Sequence, residues 1–127
     1  MSKSAVRTDA APAPFQGAPY NQAIVANGFV FVSGQGPLDP SGKLVEGGIA
    51  VETQQTFDNL AAILEAAGSS LDKVVRAGVF MLDLGEFAAM NEVYKERMPA
   101  PHPARTTIEA AGLPGGISVE IDVVALV

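Results

Sequence analysis

Gln22-Ala23-Ile24-Val25-Ala26-Asn27-Gly28-Phe29-Val30-Phe31-Val32 is two apolar runs on either side of an Asn-Gly pair. Both turn residues tolerate positive φ, and Asn-Gly between apolar runs is the strongest short-range signal for a β-hairpin. A sheet therefore starts here. Downstream, residues 49–67 set Ile49, Phe57, Leu60, Ile63, Leu64 and Ala67 on one stripe at helical spacing, and Gly68 follows as a C-terminal cap. Residues 72–82, rich in Val, Phe and Met, predict a strand. Asp83-Leu84-Gly85-Glu86 has capping-box spacing, with Asp83 as N-cap and Glu86 three residues on. The second helix then runs to about Met98, with Phe87, Met90, Tyr94 and Met98 on one face. Pro99, Pro101 and Pro103 break it. Residues 104–110 and 117–126 read as the last strands, joined by a loop containing Gly112, Pro114, Gly115 and Gly116.

The order β-β-α-β-α-β-β predicts an α+β domain, a mixed sheet with two helices packed on one face. Residues 1–127 form one domain, and residues 1–14, rich in Ala, Ser and Pro, form a loose or extended lead-in. Residues 33–48 carry five Gly and two Pro and read as loop. Helices on one side leave the other face of the sheet in need of cover. The abundance of Ala, Val and Gly points to cover by other subunits.

Composition narrows the function. The chain is 48% apolar and 17% charged, which suits a compact globular domain. A net charge of −6, with eight Lys and Arg scattered rather than clustered, argues against a nucleic-acid partner. With no cysteine there is neither a disulfide framework nor a thiol nucleophile. The N-terminus lacks the apolar core of a signal peptide and no long apolar run is present, so a soluble cytoplasmic protein is expected.

Two charges stand out within the strand-like segments Pro103-Ala104-Arg105-Thr106-Thr107-Ile108 and Val119-Glu120-Ile121. Arg is the side chain best shaped to hold a carboxylate by two parallel hydrogen bonds, and a nearby carboxylate can deprotonate a water. If the two strands are neighbours, Arg105 and Glu120 come close. From residue types alone a structural ion pair is the better explanation, ahead of catalysis, and Glu109 and Asp122 compete for the same guanidinium. His102, between two prolines and without clustered acids, reads as a surface or packing residue, and no metal site is indicated. Ser33-Gly34-Gln35-Gly36 lacks the spacing and lysine of a phosphate loop and reads first as a tight turn, second as a ligand-facing backbone. Tyr20 can hydrogen-bond a substrate or simply end a strand, and Asn91 reads as an exposed helix residue.

Together the chain resembles the reactive-intermediate deaminase family, RidA/YjgF. The pieces are Ala18-Pro19-Tyr20-Asn21-Gln22-Ala23, Phe31-Val32-Ser33-Gly34-Gln35, Leu64-Glu65-Ala66-Ala67-Gly68-Ser69-Ser70, Asn91-Glu92-Val93-Tyr94, and Pro103-Ala104-Arg105 through Val119-Glu120-Ile121. The last pair, at that spacing, is the family signature. The resemblance implies a chorismate-mutase-like fold, a homotrimer with sites between subunits, and no cofactor. It also implies hydrolysis of 2-iminobutanoate and 2-iminopropanoate, formed from enamines that pyridoxal-phosphate dehydratases release, to 2-oxo acids and ammonia: a role in metabolite damage control.

By position, the resemblance assigns Arg105 to the substrate carboxylate and Glu120 to the attacking water. Tyr20, Ser33, Gly34, Asn91 and Thr107 line the cleft. Thr107 stands where many members have cysteine, and the more usual Gly-Pro-Tyr-Ser-Gln is here Ala18-Pro19-Tyr20-Asn21-Gln22, a departure that bears on substrate size. The same resemblance carries two alternatives: a single-strand-specific endoribonuclease acting as a translation inhibitor, and a non-enzymatic trimer that binds 2-oxo acids or acts as a chaperone.

Overall fold

The computed structural model describes residues 2–127. In chain order it forms β1 (Ser4–Val6), β2 (Ala23–Ala26), β3 (Phe29–Gln35), α1 (Ile49–Ala66), β4 (Val74–Met81), α2 (Phe87–Arg97), β5 (Ala104–Glu109) and β6 (Val119–Leu126). The strands make one mixed sheet in the order β1-β2-β3-β6-β4-β5, antiparallel except for the parallel pair β4–β5. This is the α+β arrangement expected from the element order, with one strand more.

The extra strand is β1, which pairs antiparallel with β2. Three residues are too few to show an alternating pattern, and what fixes them is a side chain elsewhere. Gln22 is 3% exposed; its Oε1 accepts from the Thr8 N–H at 2.7 Å, and its Nε2 donates to Thr8 O at 3.0 Å and Pro12 O at 2.9 Å. One buried amide thus ties residues 8–12 to the start of β2.

The hairpin and the first helix form as the sequence indicates. Asn27 (φ 53°) and Gly28 (φ 82°) take the left-handed conformations that a two-residue turn requires. Gly68 (φ 82°) closes α1, with Gly68 N–H donating to Glu65 O and Ser69 N–H to Leu64 O, a Schellman cap. Ile49, Phe57, Leu60, Ile63 and Leu64 are buried as their spacing predicts. Asp83 caps a 3-10 turn, Leu84–Glu86, through Gly85 N–H at 2.8 Å, and α2 begins directly after it.

Strand β3 corrects the reading of Ser33-Gly34-Gln35 as a turn. The three residues extend β3, because Gln35 pairs with Ile121 of β6 beyond a bulge.

The register divides the sheet into two unlike faces. Along β6, Val119, Ile121, Val123 and Ala125 are buried, and α1 packs over this side of β3 and β6 with α2 against α1. Glu120, Asp122, Val124 and Leu126 alternate with them onto the opposite face. That face has no helix over it and leaves Phe31, Ile108 and Leu126 nearly half exposed.

Candidate functional site: two clusters on opposite faces of one sheet

Arg105 sits on the helix side of the sheet. It is paired with Ala77, and Ala77 with the buried Val123, so all three share a face. The guanidinium donates from Nη1 to Asn91 Oδ1 at 2.8 Å, and its Cζ lies 4.6 Å from the ring centre of Tyr94 and 5.5 Å from that of Phe87. A cation between two aromatic faces is held by their quadrupoles and loses little further freedom when it binds an anion. Phe87, Asn91 and Tyr94 follow one another at i, i+4 and i+7 on α2, so a single helix face builds the whole cradle. Asn91 is therefore a partner of Arg105 rather than a solvent-facing residue.

The guanidinium has no carboxylate partner. Among the described residues the ion pairs are Arg7–Asp9 and Arg97–Asp58. Neither competitor considered for Arg105 reaches it: Glu109 accepts from the Leu84 N–H at 2.9 Å, and Asp122 from the Gly78 N–H at 3.1 Å. The remaining donors of Arg105 open into a hollow of about 370 Å³ lined by Asn91, Tyr94, His102, Pro103 and Arg105, among others. His102, read as a surface or packing residue, is exposed at the rim of this hollow, with Nδ1 2.9 Å from Met98 O.

Glu120 sits elsewhere. Strand β4 lies between β5 and β6, and Glu120 is opposite Phe80 on the face away from the helices. The expected approach of Arg105 and Glu120 within one chain is thus overturned by strand order and by register. Glu120 lies against the backbone of Gly34: a Cβ added there would stand 2.6 Å from Glu120 Oε2. Only glycine at position 34 leaves room for the carboxylate. Half-burial pushes the Glu120 carboxyl above the usual carboxylate range, and the charge of Asp122 two residues along raises it further.

Tyr20, Ser33, Gly34 and Pro114 surround Glu120 in a hollow of about 300 Å³. The Tyr20 hydroxyl accepts from the Phe15 N–H at 2.7 Å, and the Ser33 hydroxyl donates to Asn21 O at 2.6 Å. Both side chains are consequently fixed at the wall. Thr107, half-buried on the same strand face as Arg105, is two residues from it on β5. The residues singled out from sequence fall into two sets, Arg105, Asn91 and Thr107 on one face, and Glu120, Tyr20, Ser33 and Gly34 on the other.

Phe87 and Tyr94 were legible only as an apolar helix face; an arginine on a facing strand is what gives that face a second use. A Gly34→Ala variant is expected to displace Glu120 while β3 persists. Wild-type far-ultraviolet circular dichroism, with a crystal structure of the variant in which the Glu120 carboxylate has moved away from position 34, is the result that checks it.

The one-sheet α+β fold thus carries an arginine without an ion partner in an aromatic cradle on one face and a half-buried carboxylate on the other. Residues 8–127 match the family described as Endoribonuclease L-PSP. A goat protein named 2-iminobutanoate/2-iminopropanoate deaminase is 41% identical over 117 residues, 91% of this chain and 85% of that one. The mitochondrial protein mmf2 of Schizosaccharomyces pombe is 47% identical over 112 residues, 86% of this chain and 88% of that one. The crystal structure of RidA from an Antarctic Psychrobacter superposes with a TM-score of 0.92 at 39% identity, covering 98% of this chain and 99% of the other. The chain belongs to the Endoribonuclease L-PSP family, the RidA/YjgF proteins.

Proposed function

We propose that this chain is a 2-iminobutanoate/2-iminopropanoate deaminase, releasing 2-oxo acids and ammonia. The observation that carries the reading is the Arg105 guanidinium, held by Asn91 and two aromatic rings yet lacking a carboxylate of its own. A short carboxylic acid supplies what it lacks. Glu120, a carboxylate made more basic by its surroundings, suits the removal of a proton from water.

In the proposed reaction the substrate carboxylate docks on Arg105, leaving a protonated imine carbon exposed to attack. Water adds to that carbon as its proton passes to Glu120, and the C=N π electrons move onto nitrogen. Glu120 returns the proton to the nitrogen of the resulting carbinolamine. The C–N bond then breaks as the hydroxyl oxygen forms the carbonyl, and the hydroxyl proton leaves with ammonia as ammonium.

Because Arg105 and Glu120 lie on opposite faces of the sheet, the proposed site is completed between copies of the chain. The uncovered face bearing Phe31, Ile108 and Leu126 offers the apolar surface for that association. A homotrimer of the chorismate-mutase-like type, working on metabolite damage in the cytoplasm, is the assembly and setting proposed. Among the described residues no helix is long and apolar enough to cross a membrane.

The test couples the purified protein to a threonine or serine dehydratase and traps free imine with semicarbazide. The protein is expected to lower trapping; unchanged trapping would sink the deaminase reading. The family's description favours a ribonuclease as the second reading, while the net charge of −6 works against a polyanion. Cleavage of single-stranded RNA that disappears in Glu120→Gln would favour it.

A further inference from the structure

We infer that an apolar recess beside Glu120, walled by Phe15, Leu38 and Ile117, receives the side chain of the imino acid and sets which side-chain lengths are preferred. The inference rests on the deaminase reading and deepens it. The recess measures about 60 Å³ and shares Tyr20, Gly34, Pro114 and Glu120 with the larger hollow around that carboxylate, so the two are continuous. A carbon attacked by water at Glu120 carries its side chain one bond away, at the mouth of the recess.

Three separate segments build the walls. Phe15 comes from the lead-in, Leu38 from the loop after β3 and Ile117 from the connection into β6. The Phe15 N–H donates to Tyr20 Oη at 2.7 Å. A Cβ at Gly115 would stand 3.0 Å from Phe15 Cε1, so the ring rests on that glycine. Ile117 is 4% exposed, and its Cδ1 lies 2.6 Å from where a Cβ at Gly36 would stand, filling the place of the side chain that Gly36 lacks. Both side chains are thus held by contacts of their own.

The chemistry selects a hydrocarbon. Two amides border the recess, and each is committed to backbone: Gln22 to Thr8 and Pro12, Gln35 through Nε2 to Ser33 O at 3.1 Å. Among the described residues the one charge lining it is the Glu120 carboxylate, which repels an acidic side chain. A methylene moved from water into such a pocket favours binding without needing a polar partner. A water needs about 10–15 Å³ of such space, so the recess has room for about four heavy atoms. The ethyl group of 2-iminobutanoate leaves part of it empty; a propyl or butyl group fills it.

The test uses imines of graded side chain, released from alanine, norvaline, norleucine and phenylalanine by an amino-acid oxidase. Competition with semicarbazide gives kcat/KM for each. The expected value is at least roughly tenfold higher for the norvaline imine than for the alanine imine, with a drop at phenylalanine. Leu38→Phe, which fills the recess, should lower that norvaline-to-alanine ratio by roughly tenfold. Leu38→Ala should move the optimum toward norleucine. Ratios taken within one variant cancel any general loss of activity or of folded protein. A wild-type ratio near one, or a ratio unmoved in both Leu38 variants, overturns the recess and leaves the deaminase reading standing. No acceleration of any imine, the dehydratase-generated one included, overturns both.

Discussion

Arg105→Ala is expected to abolish hydrolysis of 2-imino acids, and Arg105→Lys to leave only a trace. The guanidinium offers a planar fork that matches both oxygens of a carboxylate, and lysine offers a single point charge. Loss of two charge-assisted hydrogen bonds, at about 1.5–3 kcal/mol each, lowers kcat/KM by about a hundredfold to ten-thousandfold. Lysine also forfeits the sandwich between Phe87 and Tyr94, because a compact ammonium does not stack as a guanidinium does. Steady-state kinetics with a dehydratase as imine source makes the measurement. Substantial turnover in either variant, with the fold intact by circular dichroism, would remove Arg105 from the mechanism. No change in melting temperature of the size of a buried ion-pair loss is expected, since Arg105 has no ion partner to strand.

Glu120→Gln should cut kcat by about a hundredfold to ten-thousandfold, the usual contribution of a positioned general base. The same variant should be at least as stable as the wild type at neutral pH. The sign follows from the raised carboxyl. A group whose pKa is higher folded than unfolded binds its proton more tightly in the folded state, so its contribution is greatest in acid. That contribution is lost as pH rises through the folded pKa, leaving the ionised, desolvated carboxylate as a burden. Glutamine removes the burden along with the basicity. Thermal denaturation across the acid-to-neutral range should therefore show the variant gaining on the wild type as pH rises. The wild-type rate should fall on acidification through a pKa above the ordinary glutamate range. A Glu120→Gln enzyme with near-normal kcat would assign the base elsewhere.

Local chemistry made most of the fold legible in the sequence. Asn27-Gly28, the stripe from Ile49 to Leu64 and the cap at Gly68 are decided within a few residues of chain. What stayed hidden depends on distant partners. Strand β1 is three residues whose place is set by β2 and by Gln22, and the insertion of β4 between β5 and β6 leaves no mark on any one segment. That insertion also determines the site, because it separates Arg105 from Glu120. Residue type and signature spacing made both charges conspicuous; only register shows that they face opposite ways. The contact of Phe87 and Tyr94 with Arg105 stayed hidden for another reason, since an aromatic at helical spacing serves a core and a cation equally well.

The opposed faces of the sheet have a genetic consequence. If each working site draws Arg105 from one copy and Glu120 from a neighbour, two inactive alleles can repair each other. A mixed assembly of Arg105→Ala and Glu120→Gln chains contains junctions where an intact arginine meets an intact glutamate. Random co-assembly in equal parts would restore about a quarter of the sites by symmetry of the ring. Denaturing the two proteins together and refolding them should recover activity that neither regains alone. If the mixture stays inactive while forming mixed oligomers, Arg105 and Glu120 do not meet across a junction between copies.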